Sequence, residues 1–182
     1  TGGLWSPLVT GMVAVYHPNP LDARAVGKLV KQHGVTIIFA TPTFIHGYAR
    51  RCDPGDFGGV EVVIVGAEKL TEPVSRLFRE RFGIEPMEGY GCTEASPLVS
   101  VNVPDYRERG VYQVGVKRGT VGQPLPGVSV RIVDPDTGSS LPAGQAGMLL
   151  VRGPNIMKGY LGKMELTAEV LQDGWYRTGD IA

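Results

Sequence analysis

Cysteine is scarce in this chain, and neither sign of charge is in excess. The 182 residues include only two cysteines, Cys52 and Cys92, which are too few for a disulfide scaffold and lack the spacing of metal ligands. The 18 Lys and Arg residues balance 18 Asp and Glu residues, so the net charge is zero. A balanced chain has no electrostatic reason to bind nucleic acid or an anionic membrane. We therefore expect a reducing, cytoplasmic location and no nucleic-acid partner.

Long hydrophobic runs are also missing. No apolar stretch approaches the ~18 residues that a membrane span needs, and no basic-then-apolar leader occurs. Hydrophobic residues make up 42% and charged residues 20%, which is typical of a globular protein with a core. The 26 glycines and 14 prolines lie between periodic segments and predict many tight loops. Because the chain begins at Thr1 and stops just after a motif, we expect it to be a fragment of a longer protein.

The first half of the chain alternates between strand and helix patterns. Apolar, β-branched runs predict buried strands, and the amphipathic segments between them predict helices. Asp22 and Thr71 can cap the start of two of these helices, and Gly34 and Gly83 can end them. After a short apolar run at 12–16, the predicted strands are residues 35–39, 60–65 and 84–88, and the predicted helices are residues 22–34, 43–51 and 71–83. This alternation predicts a largely parallel sheet with covering helices.

The pattern changes after about Asp105. Short strands at residues 128–133 and 147–152 are separated by Gly- and Pro-rich turns, and polar residues alternate with apolar ones in the first of them. This predicts an antiparallel sheet with one solvated face. The predicted fold class is therefore α/β, with a partly parallel, helix-covered sheet in residues 1–115 and a small antiparallel β-rich subdomain in residues 116–182.

Two turns that follow predicted strands carry chemically useful residues. Gly66–Ala67 leaves room for a flat ring against the backbone at a strand end, although a plain strand-to-helix turn is the better prediction for this segment alone. In Glu88–Glu94, backbone N–H groups and Thr93 suit phosphate oxygens, and Glu94 suits Mg²⁺. Tyr90 suits stacking on a base. The alternative for this second segment is a capped turn with a surface Glu.

Two further loops are less specific. Residues 153–160 form a polar loop bounded by glycines, for which a structural role is the better prediction. Asp180 follows a tight Gly turn and suits two ribose hydroxyls, as acidic residues do in dinucleotide folds, with an ordinary Gly-Asp turn as the alternative. Together, the four segments indicate a nucleotide phosphate and sugar at strand ends, without naming a reaction.

Taken in order, these motifs resemble those of the adenylate-forming superfamily, which includes acyl-CoA synthetases, acyl-carrier-protein synthetases, luciferases and peptide-synthetase adenylation domains. Gly89–Glu94 resembles its aromatic-Gly-x-Thr-Glu motif, Gly147–Tyr160 its Gly-Glu-Leu…Met-x-Gly-Tyr motif, and Tyr176–Asp180 its Thr-Gly-Asp motif. Residues 66–70 and 91–97 look most similar to bacterial acyl-carrier-protein synthetases, which are often fused to a 2-acylglycerophosphoethanolamine acyltransferase. The resemblance spans nearly the whole chain and implies a fragment of the large N-terminal domain.

The resemblance implies a two-step reaction that uses ATP and Mg²⁺. A fatty acid or other carboxylic acid attacks the α-phosphate of ATP, pyrophosphate leaves, and the acyl group of the acyl-adenylate passes to a thiol. That thiol is expected to be the phosphopantetheine arm of acyl carrier protein, with coenzyme A as the other candidate. The rate should come from positioning and from charge stabilisation around the phosphate.

The resemblance also implies roles for individual residues. Thr93 and Glu94 are the implied catalytic residues, with Thr93 on the phosphate and Glu94 as the Mg²⁺ ligand. Tyr90 is expected to stack on adenine, and Asp180 to bind the ribose hydroxyls. The implied nucleotide-binding positions in full are Gly66, Ala67, Glu88, Gly89, Tyr90, Gly91, Thr93 and Asp180. The acyl pocket is expected to be bordered by Thr41, Phe44 and Gly91–Ser96.

Departures from the family pattern limit what we expect of this chain alone. Met148 stands where the family has a Glu, for which we expect a structural effect only. The family's phosphate loop and the catalytic Lys of its C-terminal domain have no counterpart here, so the isolated chain is expected to be inactive. The alternative is a free-standing, non-catalytic domain that binds AMP, an acyl group or a protein partner. No Asp occurs in residues 39–46, which disfavours an amino-acid substrate, and any contact with the inner membrane is expected only through a fused domain.

Overall fold

The computed structural model describes residues 2–182. The α-helices are α1 (Gly2–Thr10), α2 (Ala23–His33), α3 (Pro42–Arg51), α4 (Glu72–Phe82) and α5 (Met164–Val170), and two 3₁₀ turns lie at Pro54–Asp56 and Thr93–Ala95. The strands are β1 (Ile37–Ala40), β2 (Val62–Val65), β3 (Pro86–Gly91), β4 (Leu98–Val101), β5 (Tyr106–Glu108), β6 (Val111–Gln113), β7 (Gln123–Pro124), β8 (Ser129–Val133), β9 (Met148–Arg152), β10 (Leu171–Gln172) and β11 (Trp175–Ile181). Among these residues no helix is both long and apolar enough to cross a membrane.

The chain groups into two compact units that interleave along the sequence. Unit 1 comprises Thr1–Tyr90 and Val101–Gln123, and unit 2 comprises Gly91–Ser100 and Pro124–Ala182. The chain therefore passes from one unit to the other three times, after residues 90, 100 and 123. The subdomain boundary that the sequence indicates at residue 115 stays a prediction.

Unit 1 is built on three parallel strands joined by helical crossovers. β1 pairs with β2 and β2 pairs with β3, both in parallel, with Ile37 opposite Val62 and Val63 opposite Pro86. The run of four β-branched residues in β2 favours a strand. α3 connects β1 to β2 and α4 connects β2 to β3, because parallel strands need a crossover connection. The predicted parallel sheet with covering helices is confirmed.

Capping residues set the helix ends close to where the sequence predicts them. Asp22 caps α2 because its carboxylate accepts the N–H of Ala25 at 3.2 Å, and Gly34 ends that helix with a φ of 59°. Gly83 ends α4 with a φ of 74°, a backbone conformation that costs glycine little because it has no Cβ. Thr71 is the N-cap residue of α4, but its side chain makes no capping hydrogen bond.

Aromatic side chains form the centre of the core of unit 1. The Phe57 ring stacks on Phe82, with centroids 4.3 Å apart, and meets Phe78 edge-on at 5.9 Å. Such pairs add about 1 kcal/mol each beyond the apolar area they bury. Ile45 from α3 and Val63 from β2 are fully buried in the same cluster. The core therefore ties the helices to the sheet and fixes where the carboxyl ends of the strands lie.

Two details of unit 1 differ from the sequence-based expectation. The apolar run at residues 12–16 is not a strand: Val13 is 93% exposed, and the run lines a cavity of about 490 Å³ with residues of α2 and β1. Phe39 is 46% exposed, so β1 is not buried on both faces. Among the residues described, β1 is the first strand of its sheet and has β2 as its one neighbour. An apolar pattern alone cannot distinguish such an edge strand from a central one.

Unit 2 contains a four-stranded antiparallel sheet in the order β10-β11-β9-β8. β8 pairs with β9 from Ser129 opposite Arg152 to Val133 opposite Met148. Burial alternates along β9, where Leu149 and Val151 are buried, while β8 is exposed over its first three residues. The predicted antiparallel sheet is therefore confirmed. The alternation expected of one solvated face holds along β9 but not at the start of β8, where Val130 is 41% exposed between the exposed Ser129 and Arg131.

Candidate functional site

The candidate residues of unit 1 lie at the carboxyl ends of two neighbouring parallel strands. Gly66 and Ala67 follow β2, and Glu88, Gly89 and Tyr90 lie in β3. A Cβ on Gly66 would meet the carbonyl oxygen of Gly89 at 3.5 Å, so the two strand ends approach closely. Ala67 has a φ of 69°, an uncommon conformation for a residue with a Cβ. The structure thus brings these five residues together at the sheet edge where ligands bind in open α/β folds.

Two carboxylates fasten the loop from Gly66 to Leu70. Glu68 accepts the backbone N–H of Thr43 at 3.2 Å and its hydroxyl at 2.6 Å, which joins the loop to the start of α3. Glu88 accepts the N–H of Leu70 at 2.9 Å, which joins the loop to β3. The carboxylate of Glu88 therefore has a positioning contact within the protein, and its contact with a nucleotide stays a prediction.

The side chain of Asn102 joins three backbone segments in this part of unit 1. The sequence does not predict this role. Asn102 is only 2% exposed, and its amide donates to the carbonyl oxygens of Glu88 at 2.9 Å and Thr120 at 2.6 Å. Its own oxygen accepts the N–H of Lys117 at 2.9 Å. A buried amide whose hydrogen bonds are satisfied fixes the backbone around it, here the middle of β3.

The candidate residues of unit 2 begin with a tight turn. Thr93 lies in a 3₁₀ turn of three residues and is exposed, and Ser96 after it has a φ of 53°. A Cβ on Gly91 would overlap the carbonyl oxygen of Pro97, so the turn folds back on its own start. The turn follows β3 directly, as the sequence predicts, but no longer helix begins there.

The loop at residues 153–160 holds this turn in place. The side-chain amide of Asn155 donates to the carbonyl oxygens of Ala95 and Leu98, both at 2.9 Å. The N–H of Met157 donates to the carbonyl oxygen of Glu94 at 2.7 Å. These contacts give the loop the structural role predicted for it, and they join two motifs about 60 residues apart.

Glu94 is also held through its side chain. The hydroxyl of Tyr160 donates to Oε1 of Glu94 at 2.7 Å, and the side chain of Tyr176 interacts with that of Tyr160. The hydrogen bond to Glu94 raises the pKa of Tyr160, and burial, followed by the charge of Glu94, raises the pKa of Tyr176. The sequence places both tyrosines in recognised motifs, but nothing in it shows that their hydroxyls point at Glu94.

Asp180 lies near this turn within unit 2. Thr178 accepts the N–H of Asp180 at 3.0 Å, and Gly179 between them has a φ of 83°. These residues lie inside β11, where its pairing with β9 is irregular between Arg177 and Ile181, so the structure has a distorted strand in place of the predicted tight turn. Burial raises the pKa of the Cys92 thiol, and the negative charges of Glu94 and Asp180 raise it further. Asp180 and Glu94 therefore both lie within electrostatic range of Cys92. A thiol with a raised pKa is a poor nucleophile, which agrees with a packing role for Cys92.

Two of the residues that are expected to border an acyl pocket, Thr41 and Phe44, lie in unit 1. Thr41 is the N-cap residue of α3, and its hydroxyl accepts the N–H of Phe44 at 3.4 Å. Phe44 is partly buried and packs on the aromatic core. A role for either residue in binding an acyl group stays a prediction.

The folds of known proteins agree with this architecture. The crystal structure of apo MatB from Rhodopseudomonas palustris superposes with a TM-score of 0.83 at 30% identity and covers 96% of this chain and 33% of that one. Its ATP-bound form gives a TM-score of 0.79 at 31% identity, with the same coverage of both chains. The mixed α/β fold is thus that of the N-terminal domain of an adenylate-forming enzyme.

The sequence comparisons are more specific. The family described as AMP-binding enzyme matches residues 1–161, and the chain belongs to that family. A feruloyl-CoA synthase from Amycolatopsis sp is 35% identical over 177 residues, which are 96% of this chain and 34% of that protein. A long-chain-fatty-acid--CoA ligase from Haemophilus influenzae is 32% identical over 179 residues, 96% of this chain and 30% of that protein. The chain spans about a third of the length of these relatives.

Proposed function

We propose that this chain is part of an ATP-dependent acid–thiol ligase that activates a carboxylate as an acyl-adenylate. One acid oxygen attacks the α-phosphorus of ATP and pyrophosphate leaves; the thiol then attacks the acyl carbon and AMP leaves. The observation that carries the proposal is the doubly held Glu94 in unit 2, whose carbonyl and carboxylate are both bonded to residues 153–160. A rigid carboxylate in a turn that carries the family motif suits a Mg²⁺ ligand, and the cation would stabilise the charge that develops at the phosphate.

The chain's residues have separate tasks in this proposal. Thr93 would donate its hydroxyl to a phosphate oxygen, and Asp180 would accept from the ribose hydroxyls. Tyr90 would stack on adenine beside the backbone of Gly66–Ala67, with Gly89 and Gly91 leaving room for the nucleotide and Glu88 at the same edge. Orientation of the two reactants, rather than covalent chemistry by the protein, would then supply most of the rate.

Mg²⁺ fits the residues available. Within residues 2–182 no group of three or more His, Cys, Asp and Glu side chains could hold a metal by itself. Mg²⁺ is commonly held by one or two carboxylates together with substrate phosphates, so a single Glu94 is an appropriate ligand. When bound, Mg²⁺ would neutralise charge on the phosphate oxygens and make the phosphorus easier to attack.

The acyl acceptor is the finer part of the proposal. The similarity of residues 66–70 and 91–97 to acyl-carrier-protein synthetases supports a carrier-protein thiol. The relatives named above are coenzyme A ligases, which supports coenzyme A as the competing acceptor. Their names include an aromatic acid and a long-chain fatty acid, so the substrate is proposed as a carboxylic acid, with fatty acids as the first candidates. We also propose a cytoplasmic location, with which the two free thiols agree.

The test uses the full-length protein that contains this chain. It is supplied with ATP, Mg²⁺ and a series of fatty and aromatic acids, and pyrophosphate release is measured. We expect release that depends on the acid, followed by acyl transfer to holo acyl carrier protein in preference to coenzyme A. Transfer to coenzyme A alone would overturn the choice of acceptor. AMP binding without release for any acid would leave the non-catalytic domain as the better explanation.

A further inference from the structure

We propose that Tyr160 and Tyr176 are positioning residues that orient the Glu94 carboxylate for a divalent cation. The inference rests on the proposed function, which makes Glu94 a metal ligand. It goes beyond that function because it assigns the orientation of the metal ligand to two tyrosine side chains. Neither of them is proposed to contact the nucleotide or the metal. The carrying observation is the hydrogen bond from the Tyr160 hydroxyl to Oε1 of Glu94 at 2.7 Å within unit 2, beside which the Tyr176 side chain interacts with that of Tyr160.

Both ends of Glu94 are fixed by the same loop. Its carbonyl oxygen accepts the N–H of Met157 at 2.7 Å, and its Oε1 accepts the hydroxyl of Tyr160 at 2.7 Å. A hydrogen bond from a hydroxyl to an ionised carboxylate is among the stronger kinds in proteins. Glu94 is therefore restrained at its main chain and at its side chain, which leaves the carboxylate little rotational freedom.

The phenols are themselves anchored. The N–H of Tyr160 donates to the hydroxyl of Thr167 at 3.0 Å. Tyr176 is 5% exposed and lies in β11, where it is paired with Val151 of β9 and Leu171 of β10. The orientation of Glu94 is thus transmitted from the antiparallel sheet through two rigid aromatic side chains.

The side-chain partner of Glu94 is a neutral phenol and not a cation. A phenol donates a hydrogen bond without neutralising a carboxylate, and among residues 2–182 no Lys, Arg or His forms an ion pair with Glu94. Glu85 shows the opposite arrangement, because Arg79 at 3.0 Å and Arg118 at 2.7 Å both pair with it. Glu85 is thus paired with two cations in a structural cluster, whereas Glu94 is held by hydrogen bonds.

This arrangement suits a metal with strict geometric demands. Mg²⁺ requires near-octahedral coordination at short distances, so a ligand that is already oriented loses less entropy when it binds. Partners of this kind behind a metal ligand typically change metal affinity about 10-fold to 100-fold when they are removed. Only one carboxylate oxygen of Glu94 receives the Tyr160 hydroxyl, and the second is the one proposed to face the metal.

The experiment measures metal binding directly in the full-length protein. Mn²⁺ serves as the probe in complex with a non-hydrolysable ATP analogue, and its dissociation constant is obtained by electron paramagnetic resonance. We expect Tyr160→Phe to weaken Mn²⁺ binding about 10-fold and Tyr176→Phe to weaken it several-fold, because Tyr176 acts through Tyr160. The matched control is Tyr112→Phe, which removes an exposed hydroxyl bonded to Asp105 and should leave the constant unchanged.

A double-mutant cycle with Glu94→Gln separates positioning from general packing. If Tyr160 acts through the carboxylate, Tyr160→Phe should have no further effect on Mn²⁺ binding in the Glu94→Gln background. Unchanged Mn²⁺ binding in both Tyr→Phe variants, with Glu94→Gln impaired, would overturn this inference alone. If Glu94→Gln itself left the Mn²⁺ dissociation constant unchanged, Glu94 would not be a metal ligand, and that part of the proposed function would be wrong.

Discussion

Gly91 occupies a position in unit 2 that no larger side chain fits. A Cβ there would overlap the carbonyl oxygen of Pro97 and lie 2.9 Å from the Cα of Leu98, both main-chain atoms that cannot move independently. We expect Gly91→Ala to lower the free energy of unfolding by about 3 kcal/mol, the cost of forcing extra volume into a packed site. Urea unfolding of the 182-residue chain measures this.

Gly47 provides the control for that substitution. It lies in α3, and a Cβ added there would meet nothing within 4 Å. Gly47→Ala should therefore raise stability by roughly 0.5–1 kcal/mol, since alanine is the better helix former. Equal stability of the two alanine variants would show that the turn after β3 can open without cost.

Glu85 makes a pH-dependent contribution to the stability of unit 1. Burial raises its pKa, but hydrogen bonds and charge from Arg118 and Arg79 outweigh burial, and the net pKa lies below the ordinary value of 4.5. A lowered pKa in the folded state stabilises the protein above pH 4.5, and this stabilisation is lost as the pH falls through the folded-state value. We expect Glu85→Gln to cost about 2 kcal/mol at pH 7 and progressively less below pH 4.5, measured by urea unfolding across that range.

The exposed Glu61 serves as the comparison for Glu85. Its side chain has no hydrogen bond or ion pair within residues 2–182, so Glu61→Gln should change stability by no more than ~0.5 kcal/mol. A cost for Glu85→Gln that stayed constant from pH 7 to pH 3 would contradict the assignment to the two arginines.

Residue chemistry, supported by motif order, identified Glu94 and Asp180 as candidates, and the structure places both in unit 2. Tyr160 could not be connected to Glu94 in advance, because 66 residues separate them and periodicity carries no information about side-chain direction across that distance. The same holds for Asn102, whose partners include Thr120, 18 residues further on. Local sequence predicts which segments matter more readily than which atoms meet.

Among the elements, the loop from Gly66 to Leu70 depends most on side chains from elsewhere. Replacing Glu88 with Ala removes the acceptor of the Leu70 N–H, whereas Gln retains an acceptor oxygen. We expect Glu88→Ala to raise the KM for ATP in the full-length protein roughly 5-fold to 10-fold, because the loop loses one fastening point, and Glu88→Gln to restore most of it. Pyrophosphate release at varied ATP measures both.

The comparison of the two Glu88 variants also distinguishes two roles for that residue. Equal impairment of the Ala and Gln variants would mean that the carboxylate contacts the nucleotide directly, as the family resemblance implies. Glu61 lies just before β2, at the end opposite to the loop, and has no side-chain partner within residues 2–182, so Glu61→Ala should leave the KM unchanged in the same assay.

Element boundaries were predicted best where caps are encoded locally. α2 lies between Asp22 and Gly34, and α4 between Thr71 and Gly83, as the sequence indicates. The apolar run at residues 12–16 failed as a strand because hydrophobicity predicts burial, not a hydrogen-bonded neighbour, and within the described residues no strand includes it. α1 contains Pro7, and proline disfavours a helix interior, so the sequence pattern does not predict a helix there.

For the whole molecule, the expectation is that this chain does not complete the reaction alone. Its sequence contains no Gly-, Ser-, Thr- and Lys-rich loop to hold the leaving pyrophosphate, whose charge must be stabilised in the transition state. We expect no acid-dependent pyrophosphate release from the purified 182-residue chain with ATP, Mg²⁺ and a fatty acid, under conditions in which the full-length protein is active. Release from the chain above the rate without acid would contradict this.

The interleaving of the two units has a consequence for how the protein is made. The ribosome delivers most of unit 1 first, then Gly91–Ser100 of unit 2, and only afterwards the closing segment Val101–Gln123 of unit 1. The nascent chain therefore cannot complete unit 1 until residue 123 has left the exit tunnel, by which time part of unit 2 is already outside. No single cut in the sequence therefore separates the two units as whole pieces.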